Sequence, residues 1–333
     1  MACADPWRRL GLAGYLLAST QVFAQTPSAL RPAGPAAAGI AEIGWVMFIG
    51  GGLILLAVMG LLWRALRQAS SPASSTRRWR WIVGGGLVFP VAVLAALAAY
   101  SQWRSQGMRA DPPADALVIS VTGRLWWWEV RYRDPAGGPD IVLANEIRVP
   151  VGKSVVLGLA SADVIHSAWI PTVAGKMDLV PGRINRLVFS VDSPGVHRGQ
   201  CAEFCGEQHA RMALHLVAQT PDDFAAWLRA QAAPAKAPTM PLQAQGLAAF
   251  LAQRCNACHT VRGVSEEGRL GPDLTHVASR IALGAGTLGN GAVNLVDWIA
   301  HVQRHKPGAQ MPSYDRLDPA TLEAIGAYLG ELR

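Results

Sequence analysis

Charge is scarce in this chain. Asp, Glu, Lys and Arg make up only 16% of its 333 residues against a hydrophobic share of 51%, a balance that argues for membrane segments. Acid is almost missing from the first 110 residues, where ten arginines face Asp5 and Glu42 alone. Further along the basic excess is gone: residues 111–228 carry ten basic and thirteen acidic side chains, and residues 246–333 carry eight of each. The net charge of +7 therefore belongs to the membrane-flanking part and does not form a polyanion-binding surface, so nucleic acid is not an expected partner. No paired nucleophile and base, no acid/base carboxylate pair and no phosphate-cradling glycine loop stands out, so bond-making catalysis is not expected from this chain alone. Cysteine is sparse too, with five in all.

The first 24 residues read as a signal peptide: Arg8 and Arg9, an apolar core from Leu10 to Ala18, and a small-residue cleavage site at Val22-Phe23-Ala24. Cys3 lies inside it, leaving Cys201, Cys205, Cys255 and Cys258 in the mature chain. Residues 25–105 read as a transmembrane hairpin. Its apolar runs, 40–63 and 82–100, each approach the roughly 20 residues that cross a bilayer as a helix. Arg64, Arg67, Arg77, Arg78 and Arg80 between them mark a cytoplasmic loop, so the rest of the chain is expected outside, on the periplasmic face of a bacterial inner membrane. Pro90, inside the second run, is expected to kink it.

Residues 111–230 change character. Short β-rich runs at 117–121, 126–132, 141–149, 154–159, 185–191 and 214–218 alternate with Gly/Pro turns, which predicts an all-β sandwich or Greek-key barrel closed by a helix at 222–231. On it sits Cys201-Ala-Glu-Phe-Cys205-Gly-Glu-Gln-His209-Ala-Arg-Met212, with His166 upstream in Asp163-Val-Ile-His-Ser. Soft sulfur with imidazole suits copper, and two thiols four residues apart suggest two coppers sharing bridging thiolates. A structural zinc site and a Cys201–Cys205 disulfide stay open on residue chemistry alone.

Residues 231–242 are rich in proline and alanine and read as a linker that keeps the last domain nearby without a tight interface. Residues 243–333 hold Cys255-Asn-Ala-Cys258-His259, the haem c attachment signature, with His259 as the axial ligand. The sixth ligand is expected to be Met311, the only Met after that motif, with His276, His301 and His305 as fallbacks. Helices fit at 243–254, 294–304 and 319–332. With every mature Cys assigned to a cofactor, a disulfide loses ground, and a redox neighbour disfavours zinc.

Taken together, the chain resembles subunit II of a haem–copper cytochrome c oxidase with a cytochrome c domain fused at its C-terminus, the caa-type arrangement. The most specific match is Cys-x-Glu-x-Cys-x3-His-x2-Met with Asp-Val-x-His-Ser upstream. The resemblance implies a multidomain membrane protein: a two-helix hairpin, a cupredoxin-like Greek-key barrel and an all-α class I cytochrome c domain. It implies a binuclear CuA centre in which Cys201 and Cys205 bridge, His166 and Met212 complete one copper, and His209 with the Glu203 carbonyl completes the other. It also implies a Mg²⁺ facing the Glu203 side chain and shared with subunit I. Trp126, in the run Trp126-Trp127-Trp128, would be where electrons enter; three adjacent tryptophans on a strand cannot all face the core.

The implied role is electron relay, from a cytochrome c-type or other donor through haem c and CuA to the haem and CuB of subunit I. There O₂ is reduced to water with proton translocation, and subunit III is a further expected partner. Two departures from the family pattern stand out. Arg124, Arg131 and Arg133 dilute the acidity that attracts a basic external cytochrome c, and 82–100 contains no acid to serve a proton path. The alternatives are the CuA subunit of a nitric oxide reductase and a membrane-tethered copper carrier. A nitrous oxide reductase fails on counting, since its catalytic cluster needs seven His and three of the eight here are committed.

Overall fold

The computed structural model describes residues 28–67, 75–106 and 111–333; the expected signal peptide and Cys3 lie outside them. Two helices are long and apolar enough to cross a membrane. The first, α1 (Pro35–Arg67), starts at a proline, which tolerates the first turn because no N–H is needed there. The second runs from α2 (Ser75–Val83) into α3 (Phe89–Gln106), joined by a π-helical stretch over Gly84–Val88. Pro90 explains that stretch, because it has no N–H to return to the preceding turn and its ring crowds that turn's carbonyl. The expected kink thus takes the form of a local widening. The hairpin is fastened at one end by Tyr100, which donates to Glu42 (2.7 Å), and by an Arg104–Glu42 ion pair.

The next unit consists of two five-stranded sheets. One has the order β3-β2-β1-β5-β8 and the other β4-β10-β9-β6-β7. The strands are β1 (Leu117–Arg124), β2 (Trp127–Tyr132), β3 (Ile141–Ala144), β4 (Glu146–Pro150), β5 (Val155–Ser161), β6 (His166–Trp169), β7 (Met177–Leu179), β8 (Asn185–Phe189), β9 (Gly195–Cys201) and β10 (Ala213–Gln219). Pairing is antiparallel except for β1 with β5 and β4 with β10. Those two parallel pairs follow from non-sequential neighbours and give a Greek-key arrangement. Alternating residues of both sheets meet in the core: Ile119 and Val121 from β1, Leu157 and Leu159 from β5, Leu214 and Leu216 from β10, all essentially buried. At about 25 cal/mol per Å² of apolar surface, each such side chain contributes roughly 1.5–3 kcal/mol.

The single strand expected over 141–149 is two strands in different sheets. Asn145 breaks it with φ 62°, a left-handed conformation that asparagine tolerates. Its side-chain oxygen then accepts from Trp128 N (2.9 Å), so the chain crosses from one sheet to the other without orphaning a buried amide. Strands β6, β7 and β9 lay outside the expected runs. β9 carries Gly195, His197, Arg198 and Gly199, which have little intrinsic strand preference, and is held by β10 on one side and β6 on the other. Helix α4 (Pro221–Ala232) follows, capped by Thr220, whose hydroxyl accepts from Asp223 N.

The last unit is helical: α5 (Pro241–Ala252), α6 (Ala292–His305) and α7 (Pro319–Gly330), with a two-rung hairpin of β11 (Ala282–Leu283) and β12 (Leu288–Gly289). Its core is separate from that of the sheets and centres on Phe250, Leu295, Ile299, Ile325 and Tyr328. The segment between α4 and α5 was expected as a tether. Instead it lies on the helical unit: Ala235 N donates to Arg262 O (2.9 Å) and His276 Nε2 to Ala233 O (3.0 Å), while the Arg262 guanidinium donates to the end of α4 at Gln231 O and Ala232 O (2.6 and 3.1 Å).

Candidate metal and haem centres

The loop between β9 and β10 brings the sulfur and imidazole donors together. Cys201 ends β9, and Met212 immediately precedes β10, so the β9–β10 pairing closes both ends of the loop; Cys201 N donates to Met212 O (3.0 Å). Inside it, Cys201 Sγ lies 3.7 Å from Cys205 Sγ and 3.2 Å from the Glu203 carbonyl oxygen. Cys205 Sγ is 3.6 Å from His209 Nδ1 and 3.9 Å from Met212 Sδ. His166, opening β6, places Nδ1 4.0 Å from Cys201 Sγ. Gaps of this size between donors are what a cation bound through bonds of about 2.0–2.3 Å produces. The sulfurs are not bonded to each other, and both cysteines are free thiols. Cys201, Cys205, His166 and Met212 are buried, whereas His209 is half-buried.

Electrostatics prepares one of the thiols. Hydrogen bonding from Cys205, with further help from His166 and the backbone around it, pulls the Cys201 thiol well below the usual thiol range. Cys205 moves in the opposite direction, because a thiolate at Cys201 and its own burial both oppose a second negative charge. A buried pair that holds one thiolate readily and resists the second calls for cationic charge beside it.

Two residues that the sequence reading left without a role set the imidazole. His166 Nε2–H donates to Asp163 Oδ1 (2.7 Å), which fixes the tautomer and leaves the Nδ1 lone pair toward Cys201. The other Asp163 oxygen accepts from Leu125 N (2.8 Å). Gly123 makes room, since a Cβ there would stand 2.7 Å from the His166 ring. The sequence signal for Asp163 was present in its position three residues before His166.

Of the Trp126-Trp127-Trp128 run only the last two lie on β2; the strand expected from residue 126 starts at Trp127, and Trp126 sits in the turn before it. Trp128 is fully buried and meets His166 edge-on, with centroids 6.1 Å apart. Trp126 is half-buried, and its indole N–H donates to the Cys205 carbonyl (2.8 Å), which puts the ring directly against the sulfur loop. Trp126 and Trp127 also line a crevice in the helical unit together with Cys255, Cys258, His259 and Met311. Arg124 and Arg131, expected to dilute acidity here, both pair with buried Glu129 (3.2 and 2.7 Å).

Within that crevice His259 Nδ1–H donates to the Pro272 carbonyl (2.7 Å), which leaves Nε2 free as an axial donor. Burial holds this imidazole neutral by lowering its pKa. A Cβ on Gly271 would stand 2.5 Å from the ring, so only glycine fits beside it. Cys258 is exposed and Cys255 half-buried at the mouth, while Met311 contributes from the loop after α6. The crevice also holds Arg280, whose Nε has no partner among the described residues. A flat apolar group carrying carboxylates would fill the crevice and satisfy that guanidinium, and haem has both attributes. Of the fallback ligands, His301 and His305 both bond Asp297 instead (2.9 and 2.7 Å), and His276 bonds Ala233 O. Arg280 was missed by sequence reasoning because an arginine at this spacing carries no motif.

Comparison with known proteins bears on both units. Residues 139–219 match the family described as cytochrome C oxidase subunit II, periplasmic domain, and residues 243–333 match cytochrome c. The chain is 35% identical over 252 residues to cytochrome c oxidase subunit 2 of Alkalihalophilus pseudofirmus, covering 74% of this chain and 71% of that one. It is 30% identical over 258 residues to the Bacillus subtilis protein of the same name, covering 74% and 70%. Among solved structures, the periplasmic domain of subunit II of cytochrome oxidase from Bradyrhizobium japonicum is 34% identical, with a TM-score of 0.34 over 36% of this chain and 96% of that chain.

Proposed function

This chain belongs to the cytochrome c oxidase subunit II family, with a cytochrome c domain fused to its C-terminus, and on that premise we propose that it carries electrons through covalent haem c and a binuclear copper centre to subunit I of the oxidase. The observation that carries this reading is the single chain of contacts from the crevice holding His259 and Met311, across Trp126, to the Cys205 carbonyl at 2.8 Å. Bound there, copper and haem supply one-electron redox chemistry, which no side chain in this protein provides.

The residues do the rest. Cys201 and Cys205 would hold the copper centre with their thiolates, and His166, Met212, His209 and the Glu203 carbonyl would supply its remaining donors. Thioether and carbonyl donors are weak ligands that tune potential, and the buried sulfurs keep water and its reorganisation out. Cys255 and Cys258 would attach the haem covalently, His259, anchored by Pro272, and Met311 would be the donors to its iron, and Arg280 would meet a haem carboxylate. Trp126 bridges the two sites.

In the assembled enzyme, electrons pass on to the haem and CuB of subunit I, where O₂ is reduced to water with proton translocation. Subunit III and a cytochrome c-type donor complete the set of partners, with both redox domains on the periplasmic side of a bacterial inner membrane. The Glu203 carboxylate is the hard donor available for a Mg²⁺ shared with subunit I. Lys176 already pairs with it at 3.3 Å, so a divalent ion has to displace that ammonium.

The reading is tested by metal and pyridine-haemochrome analysis of the purified chain, with oxygen uptake by the oxidase assembled around it. Two coppers and one covalent haem per chain are expected, with uptake lost in Cys201→Ser. One copper, or uptake that survives Cys201→Ser, overturns it.

A further inference from the structure

The docked face between the two units contains a buried cation that no cofactor uses. Lys306, just after α6, is 4% exposed. Its Nζ donates to three carbonyls: Trp126 O at 2.7 Å, Arg211 O at 2.9 Å and Gly284 O at 3.1 Å. An ammonium has three N–H donors, and here each has one acceptor. Two of the acceptors belong to the β-sheet unit, and they are not arbitrary positions. Trp126 is the residue whose indole reaches the Cys205 carbonyl, and Arg211 directly precedes Met212. No carboxylate pairs with Lys306 among the described residues.

The contact is reciprocal. While Lys306 reaches into the sheet unit, the Arg211 guanidinium donates back to the His305 carbonyl at 2.6 Å. Adjacent residues of one unit therefore clasp a single residue of the other in both directions. Around the clasp, Ala213 N donates to Ala285 O (2.9 Å) and Ile281 N to Glu146 Oε2 (2.9 Å), so the β11–β12 hairpin is fastened to β10, which ends the sulfur loop, and to its neighbour β4. Gly308, two residues beyond Lys306, takes the left-handed φ of 77° that turns the loop toward Met311 beside Trp126.

We propose that Lys306 is an interdomain positioning residue, a buried latch that seats the haem crevice on Trp126 and so sets the rate of electron passage between the two centres without ligating either. The step it governs moves one electron and no atoms: the haem side is oxidised by one electron and the copper side is reduced by one, with no bond made or broken. Passage depends on how closely the crevice and Trp126 are held, and the linker alone cannot fix that. A buried lysine is costly, and burial pushes its ammonium down to about 7. Such a cost is tolerated where the Trp126 and Arg211 carbonyls would otherwise be orphaned in the interface, the Gly284 carbonyl having the Thr287 hydroxyl as a second donor (2.7 Å).

The proposal rests on the reading of the two centres given above, and the test separates the two. The full chain is prepared with Lys306→Met, which keeps the aliphatic stem and removes the donors, and with Arg211→Ala, which removes only the return bond. Amide hydrogen exchange at 125–127 and 305–308 reports the latch independently of any cofactor, and flash reduction of the haem reports electron passage. Expected for Lys306→Met is faster exchange in both segments and passage slowed by about tenfold, the order of one lost buried hydrogen-bond set. The haem band and the copper resonance should be retained in both variants. Arg211→Ala should give a smaller effect in the same direction, and it carries the test if Lys306→Met does not accumulate. Unchanged exchange and unchanged passage in a folded variant overturn the latch. A parent chain without haem or copper signals overturns the functional reading, while exchange still decides the latch.

Discussion

In the sheet unit the strands and their neighbours fix the donors: β9 and β10 clamp both ends of the sulfur loop, Asp163 fixes the His166 tautomer, and the sulfur and nitrogen atoms stand 3.6–4.0 Å apart. The helical unit is the opposite case. Its core residues Leu295, Ile299 and Leu329 border a crevice, its two thiols lie at the mouth, and Arg280 Nε has no hydrogen-bond partner among the described residues. One site is held by a sheet scaffold, and the other lies in a small domain whose own core leaves a crevice beside it. A sheet sandwich buries enough of its own surface to hold a site open, whereas three short helices around a large crevice do not.

That contrast can be broken most severely by preventing haem attachment. Cys255→Ala with Cys258→Ala should unfold the helical unit, seen as proteolysis beyond residue 241, while the copper resonance of the sheet unit persists. Survival of a protease-resistant helical unit would erase the distinction. Copper removal by chelation is the matching experiment on the other side. It should lower the melting temperature of the sheet unit by no more than the binding free energy withdrawn, about 3 kcal/mol at a hundredfold excess over Kd, without loss of its sheet signature by circular dichroism.

Next in size is Asp163→Ala. It frees the His166 ring and should weaken copper binding by about 10–100-fold in a competition titration, with the fold retained. Gly123→Ala attacks the same imidazole sterically and should cost about 1–3 kcal/mol in denaturant unfolding, because the new methyl group has only the ring and the core to push against.

The smallest effect concerns the last helix. Asp318 caps α7 by accepting from Thr321 N (2.9 Å), and this hydrogen bonding lowers its pKa. A carboxylate with a lowered folded-state value stabilises above its unfolded value near 4 and loses that contribution as pH falls through the lowered one. Asp318→Ala should therefore lower the helical unit's melting temperature by a few degrees at pH 7 and by less near pH 3. An equal shift at both values would mean that the cap is not carried by charge.

Much of this was legible in the sequence because the chemistry is local. Cys201 to Met212 and Cys255 to His259 are short runs whose spacing is their function, and the arginine-rich loop between two apolar runs marks the hairpin. What was not legible depends on contacts between distant segments. β9 is a strand because β10 and β6 hold it, despite two glycines, and Ile141–Val149 splits because Asn145 can take a left-handed turn and satisfy Trp128. Arg280 and Lys306 carry no motif; each acquires a role only when a crevice or a second unit closes around it. The linker misled for the same reason, since its prolines and alanines suggest slack while its carbonyls are taken by Arg262 and His276.

The account stands or falls on two cofactors of different kinds in one chain, and the absorption and electron paramagnetic resonance spectra of the purified protein test that most directly. A c-type haem band together with a near-infrared band and the multiline copper pattern of one electron shared by two ions is the predicted result. A single type 1 copper signal, or zinc with no copper resonance at Cys201–Met212, would contradict it.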